Sequence, residues 1–276
     1  MSGHHSIGRL CETLLVSRSG FYDWRRRRQT PGPRQRENLA LRQRVRTAFD
    51  QSRQTYGSPR LARALGCAGS RNRIARLMRL ERLRARQRSK FRVATTDSRH
   101  DGPIAPHRLR GVTPTACNAV WTTDVTHILT AQGWLYLAAV LDVHSRKIVG
   151  WAMSELLDAP LVVSALRMAI AQRRPTASVI VHSDRGRQFA SGSFRQTLAA
   201  HGLIPSMSRP GNCYDNAHIE SFWSSLKHEL IYRQRFASRA EARCAIFDYI
   251  ESFYNRRRLH SSIGYQSPLD FEAQLN

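Results

Sequence analysis

Charge is divided along this chain so unevenly that one core cannot accommodate it all. Residues 1–110 carry 27 Lys and Arg against 7 Asp and Glu, a net of +20, whereas residues 111–276 carry 17 against 13, a net of +4. A part so cationic must be built from short elements with large solvated faces, which leaves the second part to form the ordinary core. Every cation of the first part except Lys90 is arginine, whose planar fork suits bidentate contact with phosphate or guanine. Nucleic acid is therefore the expected partner. A membrane surface suits the charge equally well, but no apolar helix face with lipid anchors accompanies it.

The chain has 276 residues, 41% of them hydrophobic, enough for one good-sized core and one or two small modules. Its longest apolar run is "WLYLAAVL", Trp134–Leu141, far short of the roughly 20 residues that span a bilayer. The opening "MSGHHSIGRL" has no long apolar stretch of a signal peptide. A soluble, cytoplasmic protein with no membrane partner is expected. Cysteines 11, 67, 117, 213 and 244 stand singly, as reduced thiols do. "GHHS" near Cys11 lacks the second ligand pair that a structural zinc requires.

Five segments follow from local pattern. Residues 1–32 read as a small helical module, with Ile7, Leu10, Cys11 and Leu14 at helical spacing and a second helix starting near Ser17. Residues 33–92 read as a helix-turn-helix module. It begins with a basic helix whose apolar points are Leu39, Val45 and Phe49, and continues through "YGSPRLARALGCAGSRNRIARLMRL". There Pro59 suits a first turn, Ser70 suits a cap, and Ile74, Leu77 and Met78 face inward. Arg60, Arg71, Arg73, Arg76 and Arg79 remain for DNA. Residues 93–118, with three prolines, read as a linker. Residues 119–254 carry the core pattern: strands in "AVWTTDVTHILT", "GWLYLAAVLDV" and "RKIVGWAMS" as an antiparallel meander, then a helix at 158–174, a buried strand "SVIVHSD", a helix at 191–201, a strand near "LIPSMS" and two helices. That is a mixed α/β sheet flanked by helices. Residues 255–276 read as a basic C-terminal tail.

Three acids occupy positions where acids are costly or useful. Asp124 lies inside an apolar strand, where an unpaired carboxylate is expensive. Asp184 ends a strand, where α/β sheets gather functional groups. Glu220 sits on an amphipathic helix beside Ile219, Phe222 and Trp223. The gaps are 59 and 35 residues. If the two strands are neighbours and the helix covers their ends, three carboxylates converge, and they cannot all stay ionised unaided. Mg²⁺ or Mn²⁺, as two ions roughly 3.5–4 Å apart, would neutralise them and serve in-line phosphoryl displacement.

Each acid also has an ordinary structural explanation. Asp124 can bond Thr122 or Thr126, Asp184 can order a turn before Gly186, and Glu220 can pair with Lys227 or His228. Asp142 reads as a turn group and Asp215 as a helix N-cap, about 140° around the axis from Glu220. Lys227 is seven residues past Glu220 on nearly the same face and is placed to hold a DNA phosphate; His127 and His182 read as partly buried, hydrogen-bonded histidines. Arg185 and Arg187 flank Asp184 as phosphate contacts. Arg256, Arg257 and Arg258, with Tyr254, His260 and Tyr265, read as a clamp with a stacking surface.

"WTTDVTHI", "LDVHSRKIVGW", "VHSDRGRQFAS", "SMSRPGNCYDNAHIESFWSSLKHELI" and "YNRRRLHSSIGYQSPLDFE", in that order, closely resemble the second reading frame (OrfB) of IS-three-type insertion-sequence transposases. The likeness covers nearly the whole chain. It implies a retroviral-integrase-like core of ribonuclease-H fold preceded by all-α helix-turn-helix modules, with Asp124, Asp184 and Glu220 as the DDE triad and Lys227 as the associated basic residue. The implied reaction is metal-dependent cleavage at the transposon end followed by strand transfer, in a copy-out, paste-in cycle. The implied partners are double-stranded transposon-end and target DNA, further copies of the chain, and an upstream-frame (OrfA) product or fusion; the implied place is the bacterial nucleoid. A DNA-binding protein without chemistry, and a nuclease without strand transfer, are the alternatives.

Overall fold

Leu41, Val45 and Phe49 follow one another at four-residue steps, and that stripe organises the basic part of the chain. The computed structural model describes residues 6–29, 32–85, 102–176, 178–209 and 216–275, in two units, Met1–Ala85 and Arg86–Asn276. In the first unit, α1 (Ile7–Thr13) is capped by Ser6 and followed by α2 (Arg18–Gln29). Helix α3 (Pro33–Gln51) buries Leu41, Val45 and Phe49 against Leu61 and Ala62 of α4 (Ser58–Ala64) and Ile74, Leu77 and Met78 of α5 (Arg71–Leu80). Leu39, expected among the inward points, is exposed; it lies about 200° around the helix from Leu41. Ser70 makes no side-chain cap. It ends a 3₁₀ turn over Ala68–Ser70, and its N–H bonds the Cys67 carbonyl, so the turn and not the side chain starts α5. His4 and His5 of "GHHS" lie outside the described residues.

The second unit is built on one five-stranded sheet in the order β3-β2-β1-β4-β5. Strands β1 (Val120–Thr130), β2 (Gly133–Asp142) and β3 (Ile148–Ser154) form the expected antiparallel meander. Strand β4 (Ile180–Ser183) joins β1 in parallel, and β5 (Ile204–Met207) joins β4 in parallel. Successive side chains of β2 enter opposite layers: Leu135, Leu137, Ala139 and Leu141 go to one, Tyr136, Ala138 and Val140 to the other. A strand covered on both faces has no polar side, which explains the unbroken apolar run. Helices α6 (Ala159–Arg173) and α7 (Gly192–Ala200) cover one face; α8 (Ala217–Glu229) and α9 (Arg239–Phe247) cover the other. A Cβ at Gly150 would lie 2.3 Å from the Ala165 carbonyl and 2.6 Å from the Ala169 nitrogen, so β3 meets α6 more closely than any side chain permits.

Helix α9 continues as a π-helical stretch, Asp248–Tyr254, and the segment expected as a tail is seated on the core. The Asn255 side chain bonds both the N–H and the carbonyl of Ile148, at 2.9 and 3.0 Å. On α10 (Pro268–Ala273), Glu272 receives Lys147 and Arg173. Among the described residues no helix is long and apolar enough to cross a membrane.

Candidate active site and nucleic-acid interface

Asp124 is in the middle of β1 with its side chain on the face covered by α8. Parallel pairing of β1 with β4 aligns Val120 with Ile180 and Thr122 with His182. The pairing ends there, and two residues further along each chain come Asp124, still within β1, and Asp184, just past the end of β4, close enough for the charge of one to act on the other. Helix α8 buries Ile219, Phe222, Trp223 and Leu226, and that stripe leaves Glu220 and Lys227 half-buried on its flank. Its start is tied to β1 by Asn216, whose Nδ2 donates to the Thr123 carbonyl at 3.4 Å. The topology thus brings together the strands and the helix that carry the three acids. Asp215, the expected cap, lies outside the described residues.

The electrostatics record this proximity. Burial and the Asp184 carboxylate push the Asp124 carboxyl up to about 7, with Glu220 adding to the rise. Two donors oppose it: the Val125 N–H on Oδ1 at 2.7 Å and the Trp223 indole N–H on Oδ2 at 2.9 Å. Neither Thr122 nor Thr126, the partners that an ordinary structural role for Asp124 would use, supplies these bonds. Burial raises the Glu220 carboxyl and lowers the Lys227 ammonium, which Asp124 partly restores. Asp184 Oδ1 accepts the Gly186 N–H at 2.9 Å. Among the described residues no three His, Cys, Asp or Glu side chains form a ready-made ligand cage. The donor set nevertheless fits a hard cation: oxygen-only groups, mutually repelling, with each Asp124 oxygen holding one N–H and keeping acceptor capacity.

The remaining expected residues fall into three groups. Asp142 is buried and orders the β2–β3 turn, accepting from His144, Ser145 and Asn118. His182 is buried between the hydroxyls of Ser206 and Ser208, and the His127 ring stands edge-on to Trp134. His182 is thus the hydrogen-bonded histidine expected, fully buried, whereas His127 departs from that expectation and is exposed on β1. Arg71, Arg76, Arg79, Arg187, Arg256 and Arg257 are exposed, as a phosphate contact requires.

Four arginines are engaged elsewhere. Arg60 lies over the Tyr56 ring, Arg73 donates to Asn38 and Glu37, and Arg185 donates to the Ser208 carbonyl at 2.7 Å. Arg258 corrects the expected clamp. It is 2% exposed, forks onto Glu229 and reaches Ser225. The expected stacking surface is likewise internal: Tyr254 and His260 are buried against each other. An arginine triplet with aromatics looks the same in sequence whether its fork meets DNA or a buried glutamate. Trp223 is the contact that sequence reasoning left as core packing, although its place midway between Glu220 and Lys227 was a signal.

Known proteins resemble the whole chain. The Integrase core domain family matches residues 114–213, a second Integrase core domain family matches 201–268, and the HTH-like domain family matches 35–91. "Insertion element IS600 uncharacterized 31 kDa protein" of Shigella sonnei is 45% identical over 97% of this chain and 98% of its own. "Transposase InsF for insertion sequence IS3A" of Escherichia coli (strain K12) is 41% identical over 97% of this chain and 94% of its own. Among solved structures, the HTLV-2 integrase catalytic core domain in complex with magnesium is similar at TM-score 0.44 and 15% identity, over 58% of this chain and 99% of that one.

Proposed function

The chain belongs to the IS3 family of insertion-sequence transposases, and on that premise we propose that Asp124, Asp184 and Glu220 are the carboxylates that serve its chemistry. It is a DDE transposase, a polynucleotidyl transferase with an integrase core and an HTH-like DNA-binding domain, dependent on divalent metal. The observation that supports the triad is the closeness of Asp184, the residue just past the end of β4, to Asp124 on the strand paired with it, with Asp124 raised to about 7 by burial and by that neighbour's charge.

Mg²⁺ or Mn²⁺, as a pair of ions held by the three acids, would supply Lewis-acid polarisation of a phosphate and activation of the attacking oxygen. The chain's own groups do the positioning. Trp223 and the Val125 N–H hold the Asp124 oxygens, and the Gly186 N–H holds Asp184. Lys227, half-buried and within the field of Asp124, is the cation for a phosphate oxygen of the bound strand. Exposed Arg187 meets the DNA backbone outside the acids. In cleavage, a water oxygen bonds to phosphorus as the bond to the 3′-oxygen breaks, freeing a 3′-hydroxyl. In transfer, that hydroxyl bonds to a target phosphorus as another phosphorus–oxygen bond breaks, so one phosphodiester replaces another. Crowded, half-buried carboxylates suit this exchange, because the low-dielectric surroundings strengthen every charge interaction at the phosphate.

Two ends must be held at once, so a homo-oligomer on DNA is the acting form, with an upstream-frame (OrfA) product or fusion as a further partner. The place of action is the bacterial nucleoid. Incubating the chain with labelled transposon-end DNA, a plasmid target and Mg²⁺ or Mn²⁺ tests the proposal. Asp184→Asn should bind end DNA as the unaltered chain does and yield neither cut nor joined product. Full activity in that variant overturns the triad, and cut DNA without joining in the unaltered chain overturns strand transfer.

A further inference from the structure

We propose that Trp223 is a positioning residue for Asp124, its indole N–H setting the orientation in which that carboxylate meets a divalent ion. The inference rests on the reading of Asp124 as a metal-holding residue. On α8, Glu220, Trp223 and Lys227 follow at i, i+3 and i+7, one face of the helix. Trp223 is 6% exposed, its ring packed on Phe222 with centroids 4.8 Å apart, and Phe222 packed in turn on Tyr254 at 4.8 Å. The ring is therefore held by the core and cannot swing away. Its one polar atom is a donor without acceptor capacity, and that donor points at Asp124 Oδ2 from 2.9 Å.

The other oxygen of Asp124 receives the Val125 N–H at 2.7 Å. One bond thus comes from the strand's own backbone and the other from the covering helix, and together they determine the carboxylate plane. An ionised carboxylate has about four acceptor sites. With one taken on each oxygen, acceptor capacity remains on both for a cation. The helix that delivers Glu220 also orients Asp124, so a single rigid element sets two of the three acids. Hydrogen bonds of this kind to ligating groups typically govern metal affinity by about 10–100-fold.

The test is calorimetric titration of the full chain with Mn²⁺, without DNA, alongside Trp223→Phe and Asp124→Asn. Trp223→Phe keeps most of the ring and removes the donor. Expected are a loss of Mn²⁺ affinity of about tenfold or more, unchanged end-DNA binding and cooperative unfolding. Unchanged Mn²⁺ affinity in Trp223→Phe, with binding lost in Asp124→Asn, overturns the inference while leaving the triad standing. Unchanged affinity in Asp124→Asn overturns the triad itself. Should Trp223→Phe fail to fold, ¹⁵N spectra of the unaltered chain decide. The Trp223 indole resonance, identified by its contacts with Phe222, should move on adding Mg²⁺ and differ in Asp124→Asn. A resonance that does neither overturns the inference.

Discussion

A carboxylate inside an apolar strand costs several kcal/mol unless its charge is compensated or its proton retained, and burial with the Asp184 charge makes Asp124 hold its proton well above the ordinary carboxylate range. A folded-state value of about 7 against an ordinary 3.8 means that the native state binds this proton more tightly than the unfolded chain. Stability from this group is fully present below pH 4 and declines as pH rises to about 7, by at most roughly 4 kcal/mol. Asp124→Asn in chelator loses one acceptor at every pH but not the cost of ionisation, so its melting temperature relative to the unaltered chain should be higher at pH 8 than at pH 4; scanning calorimetry at both values checks the sign. Gly186 poses a steric test beside the second acid. Its added Cβ would stand 2.9 Å from Asp184 Oδ1 and 2.4 Å from the Gln188 amide. Gln188 is a flexible end that yields at little cost, whereas the carboxylate has to turn. Gly186→Ala should lower strand-transfer rate about tenfold or more, with stability changing by under about 1 kcal/mol.

At the scale of elements, α8 is locked from its far end. Glu229 accepts the fork of Arg258 and the Tyr249 hydroxyl at 2.8 Å, and Arg258 also reaches Ser225. Removing one member leaves an uncompensated buried charge, so Arg258→Ala should cost about 3–5 kcal/mol in denaturant unfolding. Arg256→Ala, on the exposed neighbour, should cost under about 0.5 kcal/mol and act on DNA affinity alone. Much at this scale was legible beforehand. The three antiparallel strands follow from alternating and β-branched runs, and Asp158 stands where a cap before an apolar helix belongs. The triplet 256–258 was not legible in the same way. Local pattern states that a residue is charged, and only its neighbours in space decide whether water or a carboxylate answers that charge.

For the whole molecule, the arginine excess in the first part makes binding to DNA an ion-exchange process. A footprint of six to ten phosphates should lose about 10³–10⁵ in affinity between 50 and 200 mM salt, measurable by fluorescence anisotropy with end DNA; a flat response would remove the cationic part from the interface. Charge division, strand order of types and the spacing of Asp124, Asp184 and Glu220 are written in the chain, because composition and periodicity are local quantities. Pairing of β1 with β4, which brings Asp124 and Asp184 near each other, is not local, since it depends on a crossover through α6 closing over the sheet. The Trp223 bond to Asp124 spans 99 residues and exists only once α8 lies on β1. Residue types and their order along the chain thus announced the chemistry. Which groups stand free to perform it, and which are spent holding the fold, was settled by packing, because a hydrogen bond or ion pair between distant residues has no signature in either one's surroundings along the chain.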